Sequence, residues 1–85
     1  MRNKLVMKLV VEGLVKQTLE ADLSQSVDSD NSPINRQIIG LPKISGDNHI
    51  NPEGIKDVET AYKTFESIRS TEYPNEDVTI KLNYI

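Results

Sequence analysis

The chain has 85 residues, a formal net charge of −3 and a hydrophobic content of 36%, with neither Cys nor Trp. That length predicts one domain with a modest core, and the missing Cys excludes disulfide scaffolds, thiolate metal sites and thiol nucleophiles. Ten basic and thirteen acidic residues, spread without long runs, describe a solvated surface and do not select a nucleic-acid partner.

From Leu5 to Leu23 apolar residues recur at odd positions: Leu5, Met7, Leu9, Val11, Val15, Leu19, Ala21 and Leu23. Arg2, Lys4, Lys8, Glu12, Lys16, Glu20 and Asp22 occupy even ones. A period of two is the mark of a strand with one face buried and one wet. The spacing predicts a single long strand, with Gly13 as a bulge or bend. A tight hairpin at Glu12-Gly13 ranks second, because simple pairing would set Leu9 against Lys16 and mix the two faces. Lys8 and Glu12 interrupt the apolar stretch behind Arg2 and Lys4, so no signal-peptide core forms. No run reaches the length of a membrane span. A cytoplasmic protein without membrane contact is the expectation.

Residues 24–35 are rich in Ser, Asp and Asn and read as a polar loop. Residues 36–45 form a second predicted strand, marked as an edge or bulged strand by Gly40 and Pro42. Residues 46–49 are a turn. A helix is predicted next, with Asn51 as N-cap and Pro52 at its first position. Its apolar stripe is Ile55, Val58, Ala61, Tyr62, Phe65 and Ile68, and Glu59 and Lys63 are spaced for an i,i+4 pair. Pro74 stops the helix. The last strand, 76–85, alternates Val78, Ile80, Leu82 and Tyr84 with polar positions. The order β-β-α-β predicts a single small two-layer α+β domain, a mainly antiparallel sheet with one amphipathic helix packed on one face.

Chemistry-bearing patterns are sparse. His49, the single histidine, lies in the polar turn, and neighbouring Ser45 and Asp47 do not make a triad by sequence proximity. Residues 28–32 begin like a calcium loop, but Pro33 stands where such a loop needs Gly and Ile39 where it needs a bidentate carboxylate. The glycines match no phosphate-cradling motif. No catalytic, cofactor or metal residue is therefore assigned. Tyr62, Tyr73 and Tyr84 read as core-edge or loop residues.

The candidate surface lies on the even face of the first strand. Val6, Val10 and Leu14, four apart, are too apolar for a fully wet face and call for a cover. Lys4, Lys8 and Lys16 share that face as a basic stripe. These residues predict a small non-enzymatic interaction protein, binding a protein partner or itself through a sheet face or edge. Self-association into a homo-oligomer is one form this takes. Its size suits an accessory factor or inhibitor of the kind phages and mobile elements carry. The runner-up is a nucleic-acid-binding module using the lysine stripe, although Glu12, Glu20 and Asp22 dilute it and no aromatic is interleaved for base stacking. A small-ligand-binding or sequestering protein is a third reading.

Overall fold

At Glu12-Gly13 the chain reverses. Both residues have positive φ, 50° and 82°, the combination that a two-residue hairpin turn of the primed type requires. The expected long strand is thus two, β1 (Lys4–Val11) and β2 (Leu14–Leu23), paired antiparallel. Face mixing is avoided by one extra residue. Val10 faces Val15, then Leu9 faces Gln17, and Lys16 is left over as a β-bulge. The bulge shifts β2 by one position, so Leu5, Met7 and Leu9 share a buried face with Ala21, Leu19 and Gln17. The computed structural model describes residues 3–24 and 36–85.

Strand β3 (Ile38–Gly46) pairs antiparallel with β2, and β4 (Val78–Tyr84) pairs antiparallel with β1. The sheet order is β3-β2-β1-β4, so β3 and β4 are its edges. As the glycine and proline suggest, β3 is irregular: its register with β2 shifts between Glu20 and Asp22, and Gly40 has φ 73°.

The helix begins later than its first cap signal. Asn51 caps only a 3-10 turn, Pro52–Gly54, with its Oδ1 accepting the Glu53 N–H at 3.1 Å. Helix α1 then runs Val58–Glu72, capped by Asp57, whose Oδ1 accepts the Thr60 N–H at 2.7 Å. The interruption has a cause in the sheet. Ile38 N–H donates to the Lys56 carbonyl at 2.8 Å and Val58 N–H donates to the Arg36 carbonyl at 3.0 Å. Those two bonds hold Lys56 and Asp57 extended beside residues 36–38, a geometry that a continuous helix forbids. Gly54, a poor helix former, yields there.

One face of the sheet carries the core. Phe65, Val58 and Ala61 of α1 are fully buried against Leu5, Met7, Leu9 and Leu19, with Ile50 and Ile55 closing one side. This is the anticipated two-layer α+β arrangement, with four strands among the described residues where three were expected, because the first predicted strand is a hairpin.

Candidate interaction surface

The register places the residues of the open face in rows across the sheet. Reading from β3 to β4, these are Ile39, Asp22, Lys4 and Ile85; then Lys43, Glu20, Val6 and Asn83; then Ser45, Thr18, Lys8 and Lys81; and last Val15, Val10 and Thr79. Val6 and Val10 are there as expected, each half-buried. Leu14 is not. The four-residue line Val6–Val10–Leu14 holds only for an unbroken strand. After the reversal Leu14 faces Val11 on the helix side of the hairpin tip, where it is 62% exposed. Val15, facing Val10 and 53% exposed, takes the place beside it.

The lysine stripe is broken up by partners. Lys4 Nζ lies 3.9 Å from Glu20, and Lys16, at the bulge, lies 3.5 Å from Asp47. Exposed pairs of this kind contribute about 0–1 kcal/mol each, so they shape the charge pattern more than the stability. Lys8 makes no ion pair among the described residues and faces Lys81 across the β1–β4 ladder. Arg2 and the calcium-like stretch 28–32 lie outside the described residues, as does most of the predicted loop 24–35. His49 is exposed in the turn before the 3-10 segment, on the rim of a shallow groove with Ile50, Thr60 and Lys63. Among the described residues no three His, Cys, Asp or Glu side chains gather into a metal-holding group, and no helix is long and apolar enough to cross a membrane.

The two edges differ sharply. In β3 the outward N–H of Ile38 is taken by Lys56, Gln37 bridges to Asp57, and Pro42 brings no N–H at all. That edge is blocked at its start and interrupted at Pro42, and the positive φ of Gly40 makes it irregular between them. In β4 the ladder to β1 is fixed at both ends: Lys4 and Ile85 exchange both backbone bonds at 3.1 and 2.8 Å, and Glu12 N–H donates to the Asp77 carbonyl at 2.9 Å. Antiparallel bonding alternates, so residues 79, 81 and 83 bond inward to β1. Val78, Ile80, Leu82 and Tyr84 turn their N–H and C=O groups out to the free edge, where no backbone among the described residues meets them. β4 has no Pro, no Gly and no bulge.

The same four residues point their side chains to the core face, yet each is only half-buried, whereas Leu5, Met7 and Leu9 on neighbouring β1 are fully buried. Helix α1 therefore covers the middle of the sheet and leaves the β4 margin partly open. Burial is enough to push the Tyr84 phenol above its ordinary range, with nearby Arg36 working in the opposite direction.

Two buried polar residues escaped the sequence reading. Gln17 sits at an odd, core-facing position and is fully buried. Arg36, 8% exposed, donates Nε to the Ser24 carbonyl at 2.9 Å and Nη2 to Asn3 Oδ1 at 3.1 Å. The parity of Gln17 was the available signal; that of Arg36 was hidden at the end of the polar loop. No family model, curated protein or solved structure matches the chain.

Proposed function

We propose that this is a small non-enzymatic interaction protein that binds a protein partner, or itself, by adding a strand to the β4 edge. The observation that carries the reading is the contrast between the two edges: β3 is bonded at its start to residues 56–58, shifted in register and interrupted by Pro42, whereas β4 is unbulged and its outer side meets no backbone among the described residues. An unprotected edge is a template for β-augmentation, with main-chain bonds giving affinity and alternate side chains giving selectivity. The half-covered row Val78, Ile80, Leu82 and Tyr84 supplies apolar surface for the incoming strand's own side chains. A chain of this size suits an accessory factor or inhibitor, as phages and mobile elements carry. Native mass spectrometry of protein drawn gently from its source cells, over a concentration series, tests the reading. A complex with itself or with another protein is expected, and a bare monomer at every concentration overturns it.

A second reading draws on Lys8 facing Lys81 on the open face: two neighbouring cations that phosphate groups of a nucleic acid would neutralise. Affinity for a nucleic acid should then fall steeply with salt, and absence of binding at low salt overturns it.

A further inference from the structure

We infer that the strand received by β4 is the β4 of a second copy of this chain, antiparallel, about a two-fold axis beside Ile80. This deepens the interaction reading and rests on it. The first support is the bonding set. The outward N–H and C=O groups belong to Val78, Ile80, Leu82 and Tyr84, so an antiparallel second copy bonds only where even residues meet even residues. Three central registers satisfy that condition. Centring on Lys81 sets Lys81 against its own copy, which directly opposed like charges disfavour. Centring on Leu82 sets Lys81 diagonal to the second copy's Lys81, which like charge again disfavours. Centring on Ile80 pairs Val78 with Leu82, Ile80 with Ile80 and Leu82 with Val78, sets Tyr84 against Glu76 just before the strand, and offsets the Lys81 diagonal with the second copy's Asp77 on the other.

The second support is charge. Thr79, Lys81 and Asn83 lie on the open face, and Asp77 continues their alternation at the start of the strand. In the Ile80-centred register Lys81 faces the second copy's Thr79 and lies diagonal to the second copy's Asp77. That diagonal is about 7–8 Å between backbones, within reach of a lysine. The two-fold axis makes this contact twice. Lys81 thus acts against two registers and for the third.

The third support is burial. A two-fold axis perpendicular to the sheet puts both helices on the same side and brings the two half-covered β4 rows edge to edge. Val78, Ile80 and Leu82 of each copy become the flank that α1 alone does not provide. The product is one sheet of about eight strands, twice the four of the single chain.

Sedimentation equilibrium on the full chain, comparing Lys81→Glu, Asp77→Lys and the double variant, tests the proposal. Lys81→Glu replaces a like-charge pair with Lys8 inside its own copy by an opposite-charge pair, so the fold is not put at risk; circular dichroism checks it. The expected result is a dimer whose Kd rises about tenfold in each single variant and returns to within about threefold of the starting value in the double. A double variant no tighter than the singles overturns the Ile80 register. A dimer indifferent to all three overturns the β4 pairing while leaving self-association through another surface standing. A monomer at every concentration overturns the pairing and moves the wider reading to a foreign partner, which the mass measurement on source material decides separately.

Discussion

Gln17 grips the backbone of Asn48 with both ends of its side-chain amide. Its Oε1 accepts the Asn48 N–H at 2.5 Å and its Nε2 donates to the Asn48 carbonyl at 3.2 Å. The amide works as one more rung of the β2–β3 ladder, placed where the backbone bonding ends and the chain turns toward the helix. Asn48 in turn donates from Nδ2 to the Tyr73 hydroxyl at 3.4 Å, tying the turn to the end of α1.

Gln17→Leu keeps the side chain's size and removes both bonds, leaving the Asn48 groups short of partners. A loss of about 1–3 kcal/mol in urea unfolding is expected; an unchanged midpoint would show that water satisfies them. Gly46→Ala should cost more than about 1 kcal/mol. Its φ is 142°, and an added Cβ would collide with the Lys16 carbonyl oxygen and the Gln17 amide.

The hairpin turn gives a separate test. Gly13, at φ 82°, has open space around it, so Gly13→Ala meets no clash and suffers only from backbone conformation. The expected loss is about 1 kcal/mol. A neutral result would mean that the turn relaxes to another type.

Phe65 is the buried centre of the helix face, with no exposed surface. Phe65→Ala should destabilise by about 3–5 kcal/mol in thermal or denaturant unfolding. In a domain of marginal stability that is enough to leave much of the population unfolded, which circular dichroism would report. A loss below about 1 kcal/mol would contradict the helix packing.

Acid should weaken the fold through Asp57. Hydrogen bonds from the Thr60 side chain and backbone hold its carboxyl below the ordinary aspartate range. The unfolded chain then binds that proton more readily than the folded one. The stabilisation is complete above the ordinary aspartate value and is lost as pH falls through it toward the lower folded value. Glu66, lowered by its hydrogen bond to Arg69, adds to the same slope. Asp57→Asn keeps an acceptor at the cap, so it should match the parent near neutral pH and show a shallower loss in acid. Urea midpoints across the acid range decide the matter, and identical slopes in the two proteins would remove Asp57 as the cause.

The parity of Leu5, Met7, Leu9, Leu19 and Leu23 was enough to place the core face, and the stripe from Val58 to Ile68 was enough to place the helix. The hairpin was harder to see, because a bulge at Lys16 realigns the faces that simple pairing would mix, and a bulge leaves no mark in composition. The late start of α1 was hidden for a different reason. Asn51 and Asp57 are both good caps, and the choice between them is made by bonds to Ile38 and Arg36 from a strand about twenty residues away. Val6 and Val10 were correctly placed on the open face, and Leu14 was misplaced for want of the turn. The β4 edge was legible only as a strand. Whether a strand lies at an edge, and whether that edge is sealed, depends on sheet order, which alternation does not encode.

The short extended piece at residues 56–57 does more than delay a helix. By bonding beside residues 36–38 it shortens one border of the sheet, and the positive φ of Gly40 and the missing N–H of Pro42 break what remains. The β4 border carries none of these devices. An arriving strand therefore meets two unequal borders, and pairing at the receptive one uses it up, which biases assembly toward finite complexes over chains of many units.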